Sequence, residues 1–221
     1  MAETMTDFAG LRERMIERQI AARGIRDPAI LEAFRAVTRE SFVDEMHQQW
    51  AYDDHPLPIE AGQTISQPYI VALMIQAAGI RNGDIVLEVG AGSGYAAAVI
   101  SRIAAKVIGI ERKHDLVDIA RQRLRRLGYS NVEIIEGDGT TGCRDQAPFD
   151  AILAAASGSH VPRALVEQLA PGGRLVMPIG DPSSVQELVK VTKQENGILK
   201  QESLGQVRFV PLIGEEGWSD A

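Results

Sequence analysis

One cysteine, Cys143, stands among the 221 residues, so no internal disulfide can staple the chain. With a single thiol and four scattered histidines, no zinc-ligand spacing is present. No apolar run approaches the roughly 18 to 20 residues that a membrane helix needs. The opening string, MAETMTDFAGLRERM, lacks the basic-then-apolar order of a secretory leader. Basic charge is scarce too: 23 lysines and arginines face 30 aspartates and glutamates, for a net charge of -7. Nucleic-acid binders carry a basic surplus, so that class of partner is disfavoured. Together these absences lead to the expectation of a metal-free, cytoplasmic protein with no membrane or nucleic-acid partner; a monomer is expected by default, and the sequence does not reveal the oligomeric state.

What remains is ordinary globular material, 45% hydrophobic and 24% charged, enough for one core spanning residues 1–221. Its densest basic string, Arg121, Arg123, Arg125 and Arg126, reads as the solvated end of a helix, where cations complement the dipole.

Hydrophobic spacing divides the chain into three parts, 1–80, 81–180 and 181–221. In the first, Phe8, Leu11, Met15, Ile16 and Ile20 recur at helical intervals up to Gly24. Asp27-Pro28 then caps a second helix carrying Ile30, Leu31, Phe34 and Val37. From Gln48 to Gln67 no period is visible, and a loop of that length is either functional or disordered. Pro68 opens a third helix.

From Gly83 the pattern alternates: DIVLEVG, a helix from Tyr95 to Ala105, KVIGI, a helix from His114 to Leu127, VEIIEG, FDAILAA, a helix from Val161 to Leu169, and GRLVMPIG. Short apolar runs separated by helices predict buried parallel strands. In the last part VQELVKVTK, the Asn196-Gly197 turn, ILKQESL and VRFVPL follow without a helix, which predicts antiparallel edge strands. The expected fold is α/β: a doubly wound, mostly parallel Rossmann-like sheet with antiparallel C-terminal strands and an N-terminal helical extension.

The first strand-to-helix junction reads Glu88-Val89-Gly90-Ala91-Gly92-Ser93-Gly94. Doubly wound sheets bind ligands at such a turn, at the carboxyl ends of their strands. The next strand ends in Glu111, whose carboxylate can accept from both ribose hydroxyls, and the third ends at Asp138-Gly139, where a short acid suits a loop beside adenine. Each piece alone has a plain explanation as a turn or a helix cap; three successive strand ends carrying them point to a nucleoside cofactor. The spacing G-x-G-x-G differs from the dinucleotide G-x-G-x-x-G, whose purpose is to seat a pyrophosphate on a helix N-terminus. S-adenosylmethionine has no phosphate and is favoured, with Glu88, Gly90, Gly92, Ser93, Gly94, Glu111, Asp138 and Gly139 as its expected contacts. A nicotinamide dehydrogenase is the rival. LAPGGRLVMPIG favours the methyl donor, because it resembles the Pro-Gly-Gly turn and fifth strand of class I methyltransferases.

The fourth strand ends in Ala154-Ala155-Ala156-Ser157, without the string that marks enzymes methylating nucleobase amino groups. Upstream, LPIEAGQTISQPYIVALM, and above all Gly62-Gln63-Thr64-Ile65-Ser66-Gln67-Pro68, resembles the signature of protein-L-isoaspartate methyltransferases. Val207-Arg208-Phe209-Val210-Pro211-Leu212 resembles that family's C-terminal segment, and Tyr52-Asp53-Asp54, LEVGAGSGY, GDG and APFDAI follow in the family's order.

The resemblance implies methylation of the free α-carboxylate of L-isoaspartyl residues in damaged proteins and peptides. S-adenosylmethionine becomes S-adenosylhomocysteine, and the ester then collapses to a succinimide unaided. It also implies Ser66 as the active-site hydroxyl, with Thr64, Ile65, Val207 and Val210 as substrate contacts. Without the resemblance, Ser66 would read as a helix cap and Val207 and Val210 as plain edge-strand residues. Two alternatives stand beside it: a related enzyme acting on ordinary aspartate in a specific peptide, and a non-catalytic cofactor-binding module. The short ending EEGWSDA favours repair over the first, since those relatives tend to add a recognition segment. His55 and His160 read as loop residues. The stretch Ser157-Gly158-Ser159-His160 departs from the family, which commonly carries a proline there, and a looser loop is expected.

Overall fold

In the computed structural model the described residues are 6–220; the first five residues and Ala221 lie outside them. Helix α1 (Phe8–Met15) continues through a π turn, Ile16–Ile20, and a short 3-10 turn, ending at Gly24 with a left-handed φ of 96°. Helix α2 (Pro28–Ala36) starts as its sequence predicts, the Asp27 carboxylate accepting from the Ala29 amide at 2.8 Å. Two 3-10 turns follow, Arg39–Phe42 and Glu45–Trp50.

The aperiodic stretch after Gln48 is neither strand-rich nor formless. A two-stranded hairpin, β1 (Leu57–Pro58) and β2 (Thr64–Ile65), closes on a tight turn, and helix α3 (Pro68–Ala78) begins three residues later. The hairpin is too short to stand alone; Leu57, Ile59 and Ile65 tie it to the core.

Seven strands make the main sheet: β3 (Ile85–Val89), β4 (Lys106–Glu111), β5 (Val132–Glu136), β6 (Phe149–Ala154), β7 (Leu169–Ile179), β8 (Gln186–Lys193) and β9 (Leu199–Val207). Their order is β5-β4-β3-β6-β7-β8-β9, parallel from β5 to β7 and antiparallel at β8 and β9. Helices α4 (Tyr95–Ile100), α5 (His114–Arg126) and α6 (Arg163–Glu167) are the crossovers. α4 and α6 are shorter than the sequence pattern suggests, because the chain turns at Ser101 and re-enters the sheet at Leu169.

Strand residues alternate between two cores. Val86, Val107, Ala151 and Leu153 pack under the N-terminal helices, α4 and α5, while Leu87, Val89, Ile108 and Ile152 face the side covered by α6. Burial on both faces explains the continuous apolar runs. Strand order reverses at β3, so the crevice between its carboxyl end and that of β6 is the place where such a sheet binds a ligand.

One predicted strand is largely not a strand. Of VRFVPL only Val207 belongs to β9; the rest crosses over the carboxyl ends of the parallel strands. Buried Gln186 holds it, accepting from the Phe209 amide at 2.7 Å, and the Ser157 amide donates to the Val210 carbonyl at 2.8 Å.

Candidate active site

At the reversal point lies a cavity of about 700 Å³. One side is the β3–α4 turn. Gly90, Gly92 and Gly94 all have left-handed φ, at 83°, 53° and 84°, a path open to glycine and strained for residues with a Cβ. Gly139 is glycine for space, because a Cβ there would collide with Val89.

Two buried carboxylates share this side. Glu111, 6% exposed, accepts from the Gly92 amide at 3.0 Å with one oxygen and from the Lys113 amide at 3.0 Å with the other. Glu88 is 2% exposed and its Oε2 has no hydrogen-bond partner among the described residues. Burial, with the nearby charge of Glu111 adding to it, pushes the Glu88 carboxyl up to about 8. A carboxyl held this way suits a cationic partner, which would draw it back to its ionised form.

The opposite wall is the hairpin end. Thr64 is exposed, Ile65 is buried, and Ser66 lies half-buried just before Gln67 and the first helical residue, Pro68. All three line the cavity, as do Glu88, Gly90, Gly92, Ser93, Glu111, Gly139 and Val210. The Ser66 hydroxyl is engaged by no protein partner among the described residues, so the capping role open to it in sequence is not the one it plays.

Three expected residues are placed elsewhere. Gly94 sits behind the turn as the N-cap of α4. Val207 is buried at the end of β9, opposite Gln186. Asp138 is spent on structure: Oδ1 accepts from the Thr140 amide at 2.8 Å and its hydroxyl at 2.7 Å, and Oδ2 from the Glu215 amide at 2.7 Å. It thereby anchors the C-terminal segment, whose Ile213, Trp218 and Asp220 form the outer wall. Sequence reading missed these residues, since so short a C-terminal segment has no period to betray it. Trp218 donates from its indole to the Ser157 carbonyl at 2.9 Å, and Asp220 pairs with Arg112 at 2.5 Å.

The loop expected to be loose is firmly tied. Ser157 is fully buried and bonds both Val210 and Leu212, while Gly158 donates to the Pro178 carbonyl at 3.1 Å and accepts from Gly180 at 2.9 Å. Glycine is there because a Cβ would come within 2.7 Å of the His160 carbonyl. His55 and His160 stay outside the cavity.

The basic string also divides. Arg125 and Arg126 are exposed as expected. Arg123 is 8% exposed; it donates to the Ser93 carbonyl at 3.2 Å and to Glu60 Oε1 at 3.0 Å. It thus links the glycine turn to the hairpin.

A family model described as Protein-L-isoaspartate(D-aspartate) O-methyltransferase (PCMT) matches residues 11–217. The chain belongs to this family. Protein-L-isoaspartate O-methyltransferase 1 of Rhodopseudomonas palustris (strain HaA2) is 53% identical over 99% of this chain and 89% of its own length. Protein-L-isoaspartate O-methyltransferase 2 of Pelobacter propionicus is 55% identical over 94% and 92%. A solved protein-L-isoaspartate O-methyltransferase superposes with a TM-score of 0.85 at 30% identity, over 93% of this chain and 67% of its own. For this isoaspartate methyltransferase family member, therefore, the cavity at the strand reversal is the place to seek the chemistry. Among the described residues no helix is long and apolar enough to cross a membrane.

Proposed function

We propose that this cavity transfers a methyl group from S-adenosylmethionine to the free carboxylate of L-isoaspartyl residues, with the donor on the glycine-turn side and the acceptor on the hairpin side. The observation that carries the reading is the pairing of two buried carboxylates on one wall with an unengaged serine hydroxyl on the other. Glu111 keeps lone pairs free beyond its two amide bonds and would hold the ribose hydroxyls. Glu88 would receive the ammonium of the methionine moiety, its unpartnered oxygen gaining a charge-assisted bond. The donor, when bound, supplies a methyl group on a sulfonium with a neutral thioether as leaving group.

The protein's own part is alignment. An acceptor carboxylate has an ordinary pKa near ~4 and is already ionised at neutral pH, so no general base is required. That agrees with both loop histidines lying outside the cavity. Ser66 would donate its hydroxyl to one carboxylate oxygen and leave the other facing the donor side. Thr64 and Val210 would offer peptide groups to the substrate main chain; the Val210 carbonyl is already taken by Ser157, which leaves its amide. Holding two reactants in near-attack geometry lowers a barrier by up to roughly 7–11 kcal/mol, which is the scale available to a site of this kind.

The deciding measurement is labelled methyl transfer to an isoaspartyl peptide with its aspartyl isomer as control. Ser66→Ala is expected to lower turnover about 10- to 100-fold with S-adenosylhomocysteine affinity retained. Unchanged turnover would remove Ser66 from this role, and equal activity on the aspartyl isomer would refute the acceptor assignment.

A further inference from the structure

Arg39 is completely buried, and no carboxylate pairs with it among the described residues. Its Nε donates to the Ala51 carbonyl at 2.6 Å and its Nη2 to the Ser66 carbonyl at 2.8 Å, while Nη1 meets no protein acceptor. The guanidinium carbon lies 4.7 Å from the centre of the Tyr95 ring. Burial draws the Arg39 pKa down, offset only in part by Tyr95 and Tyr52.

Such a group is a poor choice for filling space. An unpaired buried cation costs more free energy than an apolar side chain of the same volume. What it does that a methionine cannot is hold two carbonyls on one rigid edge, since Nε and a terminal nitrogen of the planar fork point the same way. Both carbonyls belong to irregular chain. The Ser66 carbonyl precedes the helix: the first α3 bond runs from the Val71 amide to Gln67, so no helical donor reaches Ser66. Among the described residues the one hydrogen bond to that carbonyl comes from Arg39, 27 residues earlier in sequence.

We propose that Arg39 is a positioning residue for the acceptor: by gripping the Ser66 carbonyl from the protein interior, it fixes the main chain that carries the Ser66 hydroxyl and the Thr64–Ile65 strand end at the cavity wall. It touches neither reactant. This rests on the reading of Ser66 given above. The grip matters because an in-line transfer tolerates little displacement, a shift of about 1 Å costing roughly 100-fold in rate. The lysine ammonium, a single point on a flexible stem, reaches one carbonyl at a time and leaves the other free to move.

The test compares Arg39→Lys and Arg39→Gln, each alone and combined with Ser66→Ala, by steady-state kinetics on an isoaspartyl peptide. S-adenosylhomocysteine titration and thermal unfolding of each variant accompany the kinetics. In the Ser66 background, kcat is expected to fall about 30- to 100-fold for Arg39→Lys, with S-adenosylhomocysteine affinity within about threefold of the parent. In the Ser66→Ala background the same Arg39 substitution should cost less than about threefold, because the hydroxyl it positions is gone. A Ser66→Ala enzyme with full turnover would sink the reading of Ser66 and this proposal with it. A Ser66→Ala defect combined with an undiminished Arg39 loss would sink the positioning role alone. Inhibitor affinity falling in step with kcat would overturn it as well, by assigning Arg39 to Tyr95 and the donor side. Should neither variant fold, Arg39 belongs to the fold and the proposal is wrong.

Discussion

The wall proposed for the donor is made of strand ends and the wall proposed for the acceptor of irregular chain, and their buried ionisable groups are of opposite kinds, carboxyls on the first and guanidiniums on the second. Glu88 and Glu111 stand at the carboxyl ends of β3 and β4, placed by ladders that run the length of the sheet. The hairpin opposite has two ladder positions, and besides its buried Leu57, Ile59 and Ile65 it is held by Arg123 at Glu60 and, at the Ser66 carbonyl just after it, by Arg39. In the proposed reading, Glu88 and Glu111 are the acids that a cationic donor would meet, and Arg39 backs the loop that meets an anionic acceptor. A wall built on a sheet is stiff without help; a wall built from a loop needs cross-links, and long planar cations supply them.

Damaging the two walls should therefore separate donor binding from acceptor turnover. Glu111→Ala has the largest expected effect. It removes the proposed ribose acceptor and leaves the Gly92 and Lys113 amides unpartnered. S-adenosylhomocysteine affinity should fall about 100-fold, from two charge-assisted bonds at about 1.5 kcal/mol each. The KM for an isoaspartyl peptide at saturating donor should stay within about threefold; a comparable rise in that KM would mean that the walls are not separable.

The same contrast decides what was legible in the sequence. The wall proposed for the donor is legible as a cluster because strand ends, a glycine turn and acidic residues recur in a fixed order, and the sheet brings most of them to one cavity. Gly94 and Asp138 do not line the cavity: Gly94 caps α4, and the Asp138 carboxylate serves the chain around Glu215, a contact between residues 77 apart that no local pattern encodes. On the acceptor wall the TISQP string was recognisable only by resemblance, since its residues alone look like a capped helix start. What holds it there was invisible. Arg39 lies in a segment without a period, and Arg123 hides in a string of arginines whose neighbours are solvated. The tail beyond Leu212 is illegible for the same reason: its Trp218 indole, Glu215 amide and Asp220 carboxylate act through contacts with Ser157, Asp138 and Arg112 that are long-range in sequence.

The Arg123 contact sharpens the comparison because it joins the two walls. Arg123→Gln frees Glu60, whose second oxygen is already buried without a partner among the described residues, and releases the Ser93 carbonyl. We expect kcat/KM for the peptide to drop about tenfold, corresponding to roughly 1.4 kcal/mol. Arg125→Gln and Arg126→Gln, on the solvated face of the same helix, should change it by less than about twofold. Equal losses at all three positions would show that the helix's net charge, rather than the bridge to Glu60, is what matters.

The smallest effect concerns the charge stored on the donor wall. The Glu88 carboxyl is raised from 4.5 in the unfolded chain to about 8 in the folded one, by burial first and the charge of Glu111 second. Between those two pH values the native state binds more protons than the unfolded state, so the sign is fixed. The contribution of Glu88 to stability is complete below about pH 4.5 and is lost as pH rises through about 8. Glutamine cannot ionise and has no such loss. The unfolding temperature of Glu88→Gln relative to the parent, without donor, should therefore climb from pH 5 to pH 8.5 and level off above. Relaxation around the site limits the gain to about 1 kcal/mol, or roughly 2–4 °C for a chain of this size. Replacing Glu111 by glutamine should shrink that climb, because part of the tension on Glu88 is the like charge beside it. A pH-independent difference between Glu88→Gln and parent would show that Glu88 is ionised in the folded protein and that the donor wall stores no such tension.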